Sequence, residues 1–136
     1  MAAAGSCVAK LDRMKDGIKV YRFAWLSDGA GVVSGLGSLL TGILGTILGV
    51  TFAHDATDIP TTNYDVYLKT ATGSDVLIGA GVDVPVAGTP PVTVRRTPVT
   101  SVNGLVALYP EVDLTLEVSG AGAAKMGTVY LAVQEG

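Results

Sequence analysis

His54 is the only histidine in the chain, and it sits in "AHDATD" beside Asp55, with Asp58 three residues further on. Imidazole next to carboxylates is the raw material of a metal site, but one histidine and two aspartates on a turn make a poor ligand set. These residues are expected to cap the end of a strand. Cys7, the only thiol, would complete a nucleophile–base dyad with His54, yet it lies in the first seventeen residues, which read as an arm. Serine triads assemble from distant positions, but no G-x-S-x-G elbow is present and nothing sets one serine apart. Asp65 and Asp75 flank a turn, where a carboxylate pair could do acid–base work; local hydrogen bonding explains them more simply. No catalytic, cofactor-binding or metal-ligating residue is assigned. The chain is expected to be no enzyme and to need no cofactor.

Two glycine-rich stretches invite a test for phosphate binding. "GAGVVSG" (Gly29 to Gly35) and "GAGAAKMG" (Gly120 to Gly127) lack both the G-x-G-x-x-G spacing and the Gly-Lys-Ser/Thr ending of a phosphate loop. Both fall between expected strands and not at a helix N-terminus, where backbone N–H groups would converge on an anion. They read as turns.

The totals narrow the function classes. A net charge of −3 and a pI near 4.9 argue against direct nucleic-acid binding, which calls for a basic face. "RR" at Arg95 and Arg96 is the one basic cluster in the sequence, and it reads as a solvated or ion-paired strand position. Tyr21, Phe23 and Trp25 alternate as a stacking platform would, but in an acidic chain they suit a core or a subunit contact better. Charged residues are 15% of the chain against a usual value of about 25%, while 49% are hydrophobic. So few charges cover a monomer poorly, so apolar surface is expected to be shared with neighbouring subunits or a larger partner. A lone cysteine gives no internal disulfide, which suits synthesis in a reducing cytoplasm.

Residues Gly29 to Ala53 carry no charge over twenty-five positions, and Gly31/Gly35 and Gly45/Gly49 have the small-xxx-small spacing of membrane helices. Seven glycines and several Ser and Thr lower the hydrophobicity of that run. The preferred reading is a glycine-rich connection into a buried strand, "TILGVTFA", with no membrane partner.

The elements that would position these residues are short strands. "IKVYRFAWL" (Ile18 to Leu26) puts Tyr21, Phe23 and Trp25 on one face. "YDVYLK", "ATGSD" and "VLIG" read as strand, turn and return. "VTVRRTPV" reads as an edge strand because Pro98 lacks a ladder donor. "GLVALYP" follows, then "VDLTLEV" alternates cleanly, and "TVYLAVQ" closes the domain with Val129, Leu131 and Val133 inward. The expected fold is all-β: one domain over residues 18–136, a β-sandwich or jelly-roll-like barrel of about eight short strands, with residues 1–17 as an N-terminal arm.

"PTTNYDVYLKTATGSDVLIGAG" resembles a segment of small all-β virion structural proteins of tailed bacteriophages, a Pro-Thr-x-x-Tyr-Asp-Val-x-Leu strand meeting a Gly-x-Asp-Val-Leu return. "AWLSDGAGVVSG" upstream and "LTLEVSGAGAAKMGTVYLAV" downstream are similar to the same family's glycine entry and closing hairpin. Together they cover most of residues 23 to 133 in the matching order, although "GLGSLLTGILG" is more apolar than the family pattern and residues 1–17 have no counterpart in it. The resemblance implies an all-β head-associated or neck-associated protein; the role chosen from these is a capsid decoration (cement) protein, expected to be a homotrimer binding the major capsid protein on the capsid exterior after synthesis in the host cytoplasm. It implies no catalytic residues. The arm and Gly29–Ala53 are expected to supply contact surface. The alternatives are a neck or tail subunit or, from a different class, a membrane-active small protein.

Overall fold

The computed structural model describes residues 5–33, 40–88, 91–100 and 104–134. Among them the chain forms nine strands and no helix: β1 (Ser6–Lys15), β2 (Ile18–Leu26), β3 (Leu40–His54), β4 (Asp65–Lys69), β5 (Val94–Arg96), β6 (Val99–Thr100), β7 (Gly104–Leu105), β8 (Ala107–Ser119) and β9 (Met126–Gln134). The fold is an all-β sandwich. Seven strands form one antiparallel sheet in the order β1-β2-β9-β3-β8-β4, with β5 also on β3, while β6 and β7 make a separate small hairpin.

The segment read as part of an arm is extended and paired. β1 runs antiparallel to β2 from Ser6↔Leu26 to Lys15↔Ile18. The two are joined by Asp16 and Gly17, both at positive φ (52° and 78°), the backbone of a tight two-residue hairpin turn. "DG" is the residue pair such a turn favours, and the pairing leaves residues 6–15 as the outermost strand of the sheet.

β3 makes the sheet into a sandwich. Its C-terminal half pairs with β9 from Thr46↔Gln134 to His54↔Gly127, and with β5 at Val50↔Arg96. Its N-terminal half pairs instead with β8, and the register slips twice between Leu40 and Gly45. Gly45 lies at φ 134°, and a side chain there would run into the Gln134 carbonyl, so the bend falls where no Cβ stands in the way. One layer is then β1-β2-β9-β3-β5 and the other β3-β8-β4.

Their inner faces close on a single core. Phe23 and Trp25 from β2, Val129 and Leu131 from β9 and Phe52 from β3 meet Leu114 and Leu116 from β8, with Val66 and Leu68 from β4. Each such side chain contributes about 1.5–3 kcal/mol by leaving water. Strict alternation explains this directly: Tyr21, Phe23 and Trp25 are buried while Arg22 and Ala24 between them face outward.

Three segments differ from their sequence reading. "VLIG" is not a returning strand. Residues 76–82 form turns that lie along β4, with Val76 N–H donating to the Leu68 carbonyl (2.8 Å) and Val66 N–H to that of Gly81 (2.7 Å). The strand partner of β4 is β8, with Val66 opposite Val118. "ALYP" and "EVDLTLEVS" run together as the one long strand β8. Of the uncharged run, Leu40 to His54 is strand, residues 34–39 lie outside the described residues, and no described helix is long and apolar enough to cross a membrane.

Candidate functional site

The residues with most chemical potential are held in structural roles. His54 ends β3, and its Nδ1 lies 3.2 Å from the Val92 carbonyl, which can only accept, so the proton sits on Nδ1. Nε2, 2.8 Å from the Tyr64 hydroxyl, then accepts from it. Burial lowers the pKa of His54 below its ordinary value, partly opposed by the bond to Val92. Burial likewise pushes the Tyr64 hydroxyl well above the usual tyrosine range, against the opposing charge of Arg96. Tyr64 packs edge-on to His54 and tilted against Trp25, with centroids 5.5 and 5.6 Å apart. The histidine is therefore a neutral packing and hydrogen-bonding piece.

Its carboxylate neighbours do not converge on it. Asp55 accepts from the N–H groups of Asp58 (2.6 Å) and Thr57 (2.9 Å), and these bonds hold its carboxyl below the usual range. That is a strand-end turn, as the sequence reading has it. Among the described residues no three His, Cys, Asp or Glu side chains gather to hold a metal ion.

Cys7 and His54 are not brought together. The register runs Cys7↔Trp25, Trp25↔Gly127, Gly127↔His54, so two strands separate them, about 14 Å at the usual strand spacing. Cys7 is buried, and desolvation pushes its thiol up to about 12. Asp65 and Asp75 are also apart in role: Asp65 accepts from Asp83 N–H (2.9 Å), whereas Asp75 accepts from Leu68 and Leu77 (both 3.1 Å) and Gly79 (3.2 Å).

The two glycine loops spend their polar groups on each other. Ala121 N–H donates to Gly31 O, Ala124 N–H to Asp28 O, and the fully buried Ser27 hydroxyl donates to Gly122 O (2.6 Å) while accepting from Lys125 N–H (2.8 Å). Among the described residues these bonds pin the two loops together at the end of the sandwich.

The surfaces are more distinctive. β4 is sheathed by residues 76–84, while β1 has no strand on its outer side among the described residues. On β1, Val8 is 64% exposed, Leu11 45% and Met14 60%. Behind this edge lies the outer face of the β1-β2-β9-β3-β5 layer. Its register aligns Lys10, Arg22, Tyr130, Thr51 and Arg95 in one row across five strands. The "RR" pair splits by strand alternation. Arg95 joins this face, while Arg96 turns inward and donates to the carbonyls of Ala80, Val82 and Asp83. Lys10, Arg13 and Arg22 were not singled out in the sequence, because the cations that make this face come from three separate strands. Placing the Asp16–Gly17 turn would have set Lys15 beside Ile18 and Arg13 beside Val20, but Lys10 comes opposite Arg22 only through the bulge at Asp12.

Compared with protein-family models, with curated proteins and with solved structures, the chain matches none of them.

Proposed function

We propose that the chain is a structural subunit that works by assembly, and specifically a bacteriophage capsid decoration protein that binds the major capsid protein and its own copies. The observation that carries this is the outer edge of β1, which no described strand sheathes and where three large apolar side chains are exposed on one ten-residue strand. A neighbouring extended segment can add to such an edge through main-chain hydrogen bonds, with Val8, Leu11 and Met14 supplying apolar contact. The likeness of residues 60–81 and their flanks to virion structural proteins points the reading toward a capsid. A subunit of this kind makes a modest contact per copy and gains strength when an oligomer engages several lattice positions at once. Because it binds only the assembled shell, it stabilises that shell by linkage.

The test is co-sedimentation of the purified chain with shells that lack it, using wild type and a Val8→Ser, Leu11→Ser, Met14→Ser triple variant. Saturable binding at hundreds of copies per shell, lost in the variant, is the expected result. Deleting residues 1–15 would instead strip β1 from β2 and expose a new edge. Six or twelve copies per intact particle would move the protein to the neck or tail, the second reading. Absence from particles would end both.

A further inference from the structure

The proposed assembly reading names no surface for contacts between copies beyond the β1 edge, and the charge distribution supplies one. The geometry points to the outer face of the β1-β2-β9-β3-β5 layer as the seat for the acidic side of a second copy of this chain. The inference rests on the assembly reading and goes on to say which two surfaces meet.

Five cations share this face: Lys10, Arg13 and Lys15 from β1, Arg22 from β2 and Arg95 from β5. Arg13 lies opposite Val20 and Lys15 opposite Ile18, both outward positions of β2. The row from Lys10 to Arg95 crosses four strand spacings, about 19 Å. One carboxylate, Asp12 on the bulge of β1, belongs to these five strands, and it lies 3.9 Å from Arg13 Nε.

The chain has nine Lys and Arg against twelve Asp and Glu; without these five and Asp12 the remainder is four against eleven, a net −7. On the other layer Asp113 and Glu117 alternate with buried Leu114 and Leu116, and Asp65 precedes buried Val66, so all three point outward. Lys69, 2.7 Å from Glu117, is the one cation on β4 and β8. One sandwich therefore presents opposite signs on its two outer faces.

The floor between the cations is built for a protein surface. Arg13 and Arg95 stand at the two ends of a trough of about 640 Å³, over Val20, Ala132, Gly49 and Tyr130. Small apolar residues there mix with Thr51, Thr97, Tyr130 and the two arginines, and Tyr and Arg are the residues enriched at interfaces. Arg22, opposite Tyr130 in the same row, has its Nε buried without an acceptor among the described residues, so its guanidinium is held on this face without a carboxylate of its own. Polynucleotide fits less well, because one tyrosine offers no run of stacking surfaces. Two different faces meeting is a heterologous contact, so assembly proceeds to a closed ring or an open fibre and does not stop at two copies.

Sedimentation velocity of the full chain tests this. Wild type is expected to form species larger than a dimer at about 50 mM NaCl and to lose at least about tenfold in association at about 500 mM. An Arg22→Glu, Arg95→Glu variant with unchanged circular dichroism should stay monomeric at low salt. Should it misfold, Arg22→Gln, Arg95→Gln takes its place. Mixing it with an Asp65→Lys, Glu117→Lys variant should restore mixed species. Equal assembly of the arginine variant and wild type overturns the inference while leaving shell binding to judge the assembly reading by itself. A wild type monomeric at low salt overturns it too. Binding of an oligothymidine that the arginine substitutions abolish would reassign the face to nucleic acid.

Discussion

Gly127→Ala is the smallest change that probes how the sandwich is packed. Gly127 lies on β9 between Trp25 of β2 and His54 of β3. A Cβ there would stand 2.5 Å from Trp25 Cζ2, 2.8 Å from its Cε2 and 3.1 Å from the Ala53 carbonyl oxygen. The obstacle is the rigid ring of a tryptophan only 2% exposed, so relief requires the indole to move by about 1 Å toward normal contact. Overpacking of this kind costs about 1–3 kcal/mol. Replacing glycine in a strand returns about 0.5–1 kcal/mol through the unfolded chain. The net expectation is a loss of about 1–2 kcal/mol, read in urea as a midpoint lower by about 0.5–1 M at unchanged slope. Trp25 is the only tryptophan, so its fluorescence reports both unfolding and the local shift. Combining the change with Trp25→Leu should recover part of the loss, since the two residues touch. A Gly127→Ala protein as stable as wild type, with the same native emission, would refute this account of the packing.

Other perturbations follow from the same geometry. His54 has its pKa lowered in the fold, so its contribution is complete above the ordinary value near 6.5 and is lost as pH falls through the folded value. Urea midpoints should fall from about pH 7.5 to about pH 5.5, and the slope should flatten in His54→Gln. Asp75→Ala leaves three N–H groups without their acceptor; it should cost about 1–3 kcal/mol and speed hydrogen exchange at Leu77. The Cys7 thiol, buried and pushed up to about 12, should resist Ellman's reagent in buffer and react fully in denaturant. Rapid labelling of the native protein would show that β1 opens.

Strand content was legible wherever one face is buried and the other is wet. Ile18 to Leu26 and Thr128 to Val133 are strand because apolar and polar residues alternate through them, and that rule needs no knowledge of partners. Pairing was not legible. "YDVYLK" and "VLIG" are neighbours in sequence, yet β4 joins β8, because Asp75 caps the intervening backbone and holds it in turns. β1 escaped notice because its side chains are nearly all exposed, which erases the alternation that marks a strand. The strand-end turn at Asp55 and Asp58 was readable, because a carboxylate followed by small polar residues accepts from the backbone two and three positions on. The cationic face was not, since register, and not sequence proximity, aligns Lys10 with Arg95.

β9 lies between β2 and β3, whose residues precede it by more than seventy positions. Until it is synthesised, β2 has only its hairpin with β1, and β3 lacks its longest ladder. The N-terminal half therefore leaves the ribosome as adhesive, unmatched extended chain, and the domain can condense only after residue 134 has been made. A nascent chain stalled before Met126 should be protease-sensitive and bound by chaperones, whereas release past Gln134 should bring compaction in one cooperative step.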